Sequence, residues 1–125
     1  IMKVYYAHSM HLYNTKQEQR DIHLLEQLGF EVVNPSCKEI SDGCATYKEK
    51  YGGANVMKYF DSIIDGCDAV AFRGHIDGRI PSGVGYEIKY AMDKNKPLFE
   101  LPTLYNSKFM EVGETKQYLE LLGNR

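Results

Sequence analysis

The run Ser82-Gly83-Val84-Gly85-Tyr86-Glu87 brings together residue types suited to breaking a bond at a sugar carbon. Gly83 and Gly85 let a backbone or a ligand approach where a Cβ would clash, and the N–H groups that open a helix hold anions. Glu87 follows one turn inside, so its carboxylate is expected to point into the same cleft. A carboxylate beside an amide-lined hollow of phosphate size suits attack on a nucleotide's sugar carbon. A retaining displacement there needs a carboxylate on one face, to form and release a glycosyl ester through an oxocarbenium-like transition state. It also needs a second acid to protonate the leaving base. Asp61 is the candidate, with Asp65 one turn further along the same helix and Asp68 just past its end as substitutes. Taken singly, Glu87 also suits a first-turn acid favoured by the helix macrodipole, and Asp61 and Asp65 a solvated helix face.

The elements that must position these groups alternate in type. Met2 to Ala7 is a β-rich run, and Thr15-Lys16-Gln17-Glu18 carries the capping-box pattern, so a helix starts near Thr15 and stops at Gly29. Phe30 to Asn34 follows as a strand, which makes the first β-helix-β unit a parallel pair. From Ser36 to Gly53 periodicity fades, with Asp42-Gly43 and Gly52-Gly53 as turn signals, into an irregular excursion. Val56, Met57, Tyr59, Phe60, Ile63 and Ile64 then mark a helix beginning near Asn55. Ala69 to Phe72 is a short apolar run of central-strand type, with a loop from Arg73 to Ser82 after it. Val84, Ile88, Ala91 and Met92 give a third helix, ended by Lys94-Asn95-Lys96-Pro97, and Leu98 to Leu101 a fourth strand. Thr103 to Val112 reads as loop and Thr115 to Leu122 as a last short helix. The pattern predicts one doubly wound α/β domain over 1–125, a Rossmann- or flavodoxin-like parallel sheet flanked by helices. Ligands in such sheets bind beyond the carboxyl ends of the strands.

Composition narrows the partners. Fifteen Lys+Arg against seventeen Asp+Glu leave a net charge of -2, which supplies no global field for a nucleic-acid polymer or an anionic membrane. No apolar run approaches the ~20 residues a membrane span needs, and the chain opens on a strand-like run rather than a signal-peptide pattern. Cys37, Cys44 and Cys67 are odd in number and form no C-x-x-C pair, which argues against a disulfide framework or a zinc site and for a cytoplasmic setting. His8 and His11 have no third ligand nearby, so neither metal nor other cofactor is expected. Arg73, His75 and Arg79, in the loop before Ser82, are placed to meet a phosphate or to serve as surface charge.

Tyr5-Tyr6-Ala7-His8-Ser9-Met10, Cys67-Asp68-Ala69-Val70, Pro81-Ser82-Gly83-Val84-Gly85-Tyr86-Glu87 and Lys96-Pro97 stand in an order and spacing that cover roughly the first hundred residues. In these the chain resembles the nucleoside 2-deoxyribosyltransferase superfamily, and most closely its small nucleoside 5'-monophosphate N-glycosidases. The resemblance implies cleavage or transfer of the N-glycosidic bond of a nucleotide or nucleoside. Glu87 would be the nucleophile, Asp61 the group that assists the leaving base, and Ser82, with Gly83 and Gly85, a phosphate or sugar contact. Tyr5, His8, Ser9 and His11 would touch the substrate, and a homodimer would complete each site. Two positions depart from the family pattern. His11 stands where those hydrolases carry an arginine, and Asp61 falls one residue from the usual carboxylate position. Attack of water on the ester makes a hydrolase and attack of a second base a transferase; both remain open. An alternative on the same fold is a catalytically inactive nucleotide-binding or sensor module.

Overall fold

The computed structural model describes residues 1–103 and 108–123. Its strands are β1 (Met2–His8), β2 (Phe30–Val33), β3 (Ala69–Arg73), β4 (Arg79–Ile80), β5 (Leu98–Glu100) and β6 (Lys108–Phe109). The helices are α1 (Lys16–Gln27), α2 (Lys38–Tyr51), α3 (Val56–Asp65), α4 (Ser82–Asp93) and α5 (Val112–Leu121). Four strands form one all-parallel sheet in the order β2-β1-β3-β5, the doubly wound α/β arrangement the alternation predicts. The order reverses between β1 and β3, so the crevice for a ligand lies beyond His8 and Arg73.

Period-two alternation decides which side chain meets which helix. Val4 and Tyr6 of β1 pack with Ala69 and Ala71 of β3 against Leu25 of α1. Tyr5, Ala7 and Val70 point the other way, onto Ile64 of α3 and Val84 and Ile88 of α4. Of Tyr5 and Tyr6, one is expected in the core and one in the cleft, but both are fully buried, on opposite faces of the sheet. Each manages this because its phenol finds a buried carboxylate, Glu87 for Tyr5 and Asp21 for Tyr6.

Thr15 caps α1, its Oγ1 accepting the Glu18 N–H at 3.2 Å. Glu18 does not complete the predicted box; it accepts from the Asn14 N–H at 3.1 Å and turns its other oxygen to His8. Thr15→Ala is expected to cost about 1 kcal/mol of stability in urea unfolding, as loss of an N-cap does. Gly29, at φ +97°, ends the helix as its position predicts.

The predicted irregular stretch between Ser36 and Gly53 is instead mostly helix α2, started at Cys37 and closed by Gly52. Gly43 in its middle reads as a breaker, yet a Cβ there would run into the Tyr59 phenol of α3. The glycine is the notch that lets α2 and α3 approach, with the Tyr59 hydroxyl donating to the Ile40 carbonyl at 3.2 Å. None of α2's residues is fully buried, which is why its periodicity is faint. At the other end of the chain, α5 begins three residues before the predicted Thr115 because Glu111 and Glu114 form a capping box. The predicted loop from Thr103 to Val112 contains β6, which pairs with β4 in a small parallel ribbon; residues 104–107 lie outside the described ones.

Candidate active site

Glu87 sits in the second turn of α4, only 6% exposed, and accepts a hydrogen bond from the Tyr5 hydroxyl. Burial pushes its pKa up to about 8; the Tyr5 hydrogen bond opposes the rise and the negative charge of Asp61 adds to it. Asp61 and Glu87, the two acids expected to do chemistry, are therefore brought within electrostatic reach of each other. Asp61 accepts from the Tyr86 hydroxyl at 2.9 Å, while its other oxygen is buried with no hydrogen-bond partner among the described residues. A second rung, Tyr90 to Asp65 at 2.7 Å, repeats this contact one turn on, because α3 and α4 run parallel with 61/65 facing 86/90.

That register separates the three candidate acids. Asp65 is exposed and held by Tyr90. Asp68 accepts the Lys3 N–H at 2.7 Å, at the amino end of β1 and away from the crevice. Only Asp61 of the three contributes to the raised pKa of Glu87.

The phosphate hollow expected at the start of α4 is partly occupied by the protein itself. The Ser82 N–H donates to Thr115 Oγ1 of α5 at 3.0 Å. The Phe109 ring lies over Gly85, where a Cβ would come within 3.3 Å of it. Gly83 alone faces open space, with no atom inside 4 Å of a built Cβ. It is the position on this turn where a ligand can come up to backbone.

The loop after β1 divides its residues between fold and crevice. Ser9 caps a short 3-10 turn, accepting from the His11 N–H at 3.3 Å. His8 is turned inward and stacks on Tyr6, ring centroids 3.7 Å apart. Its Nδ1 lies 2.9 Å from the Tyr6 carbonyl and its Nε2 2.7 Å from Glu18 Oε2. Both nitrogens are committed to the fold, which leaves no ring nitrogen for the expected substrate contact. Burial lowers the pKa of His8, with the Glu18 hydrogen bond opposing. Burial would also raise Glu18, but hydrogen bonds from His8 and Ser36 bring it down. Two acceptors flank one imidazole, so the geometry itself requires a proton between His8 and Glu18. Tyr13, from the same loop, is the neighbour that sequence reasoning missed. Burial raises its pKa first and the Glu87 charge next, and its ring lies 5.0 Å from that of His8.

His11 goes elsewhere, to the wall of a cavity of about 390 Å³ that also includes Arg73 and His75. This cavity opens at the same carboxyl edge of the sheet but on the α1 face, and Tyr5 and Glu87 do not line it. Arg73, expected to meet phosphate or to serve as surface charge, is instead largely buried against Asp21 at 2.6 Å, whereas Arg79 stays at the surface, paired with Asp77 at 2.6 Å. The described residues contain no cluster of three potential metal ligands and no helix long and apolar enough to cross a membrane.

No protein family, curated protein or solved structure matches this chain.

Proposed function

We propose that this protein breaks the N-glycosidic bond of a nucleotide or nucleoside, the activity of the deoxyribosyltransferase-like enzymes that its motifs resemble. What supports the reading is a buried Glu87 holding the Tyr5 hydroxyl, with Asp61 fixed by the adjacent Tyr86 and its charge felt at Glu87. Glu87 attacks the anomeric carbon, the bond to the base breaks, and the ester between Glu87 and the sugar is released by water or by a second base. Attack requires the carboxylate, and a group held at about 8 is roughly one-tenth ionised at pH 7. The departing base needs a proton as Glu87 gives one up. Asp61, alongside with an unpaired oxygen, can take the first and deliver it to the second.

This coupling predicts the pH profile. The cleavage rate is expected to hold up to about pH 8 and to fall above it, as the pair loses the proton that the leaving base needs. Asp61→Asn removes the charge that raises the Glu87 pKa, so the midpoint should move to lower pH even as the maximum rate falls. Tyr5→Phe removes the hydrogen bond that favours the carboxylate and should move the midpoint higher. Shifts of the same sign in both variants would contradict the assignment.

The direct test is incubation with a panel of nucleosides and nucleotides, with and without an acceptor base, reading free and exchanged base by chromatography. The alternative, a nucleotide-binding module without turnover, draws on two observations: Glu87 is 6% exposed, and the cavity described above lies on the other face. Binding without released or exchanged base across the panel would establish that alternative.

A further inference from the structure

The cavity on the α1 face has walls of a particular chemistry. Leu12, Ile76 and Pro102 supply apolar surface; His11, Gln17, Arg73, His75 and Thr103 supply polar groups. Its volume of about 390 Å³ lies in the range that takes a small organic molecule. Arg73 is the main donor. An arginine carries five N–H groups in a rigid fork. Asp21 takes one from Nε at 2.6 Å and one from Nη2 at 2.9 Å, leaving three with no acceptor among the described residues. The guanidinium is thus fixed in place with donors to spare.

Its charge, however, is already spent. Asp21 is 2% exposed and holds the Nε/Nη2 edge of the fork with both oxygens, so an incoming anion would meet a carboxylate on the far edge of the guanidinium. The Arg79–Asp77 pair beside the cavity loop is likewise neutral as a unit. His75, 2% exposed and without a hydrogen-bond partner on either nitrogen among the described residues, is held neutral by the same burial. A wall rich in donors, balanced in charge and otherwise apolar favours an acceptor oxygen on an uncharged ring over a carboxylate or phosphate.

We propose that this cavity is a binding site for an uncharged heteroaromatic molecule bearing a carbonyl, of the aromatic amide or lactam type, with the carbonyl oxygen accepting from Arg73 and the ring lying between Leu12, Ile76 and Pro102. The site shares neither Glu87 nor Asp61 with the proposed reaction and stands or falls separately from it.

Nicotinamide and nicotinate are nearly identical in shape and differ by one charge, which makes them the deciding probes. Each is titrated to millimolar concentration into the full chain, following the Arg73 side-chain and His75 ring signals by NMR. Nicotinamide is expected to bind at least about tenfold more tightly than nicotinate, a difference of about 1.4 kcal/mol. Ile76→Trp should fill the cavity and abolish binding; the native Ile76 is 83% exposed, so the change leaves the core untouched. Arg73→Lys keeps the charge opposite Asp21 but loses the fork, and should weaken nicotinamide about tenfold. Tighter binding of nicotinate, binding indifferent to Ile76→Trp, or no response to either probe would overturn the proposal.

Discussion

Replacing Glu87 with glutamine is expected to lower the rate of N-glycosidic bond cleavage by about four orders of magnitude, roughly 5 kcal/mol of transition-state stabilisation, while making the protein more stable in alkali. Glutamine keeps the volume and can still accept from the Tyr5 hydroxyl, so the packing of α4 on β1 is preserved. It cannot form a glycosyl ester that turns over. The stability gain has a separate origin. A carboxyl whose pKa is raised in the folded state from 4.5 to about 8 stabilises the fold only while it stays protonated. That contribution is complete below 4.5 and is lost as pH rises toward 8, where the buried charge costs on the order of 5 kcal/mol. The variant has no such charge to bury. At pH 9 its urea midpoint should lie well above that of the unaltered protein, and near pH 4 the two should coincide. Lost activity with unchanged stability at pH 9 would mean that Glu87 is not the destabilised group described here. Raised stability with full activity would remove it from the chemistry. The combination of both effects is the mark of a residue kept in an unfavourable place for its reactivity.

The sequence made Glu87 legible because its signal is local: glycine, glycine and acid within six residues, on a turn between strand and helix. The parallel sheet was legible for the same reason, since strand and helix periods alternate plainly from Met2 to Leu101. What was missed depends on pairs far apart in the chain. Gly43 looks like a breaker until Tyr59, on the next helix, is seen to need its space. The inward turn of His8 follows from Glu18, ten residues on, which a capping-box reading assigns wholly to the helix start. The seal over Ser82 and Gly85 comes from Thr115 and Phe109, near the other end of the chain. Spacing within a segment carries no record of such contacts. One trace was available: Glu18, Asp21 and Leu25 share a face of α1, and acids on the apolar face of a sheet-packed helix call for partners.

Asp21 has found its partners, and cutting them should be the largest single blow to stability. Its two oxygens accept four hydrogen bonds, from Arg73 Nε and Nη2, from Gln17 and from the Tyr6 hydroxyl. Tyr6 is fully buried and the Arg73 side chain is 13% exposed, so neither has ready access to water as a substitute. Asp21→Ala would strand a guanidinium and a phenol at the carboxyl edge of the sheet, where β1, β3 and α1 meet. Breaking one side of a buried ion pair costs about 3–5 kcal/mol, which for a chain of 125 residues lowers Tm by on the order of 10–20 °C. The cost lies in the orphaned charge more than in the lost attraction, since burying the intact pair already carries a desolvation penalty. The double variant Asp21→Leu with Arg73→Met is therefore expected to recover most of the loss, although each change alone is damaging. A thermal melt of the four proteins measures this coupling directly. Additive losses would show that Asp21 and Arg73 support the fold independently rather than as a pair. Recovery in the double variant would show that the pair is not needed for the fold. It would also return the reason for keeping Arg73 to the cavity it lines.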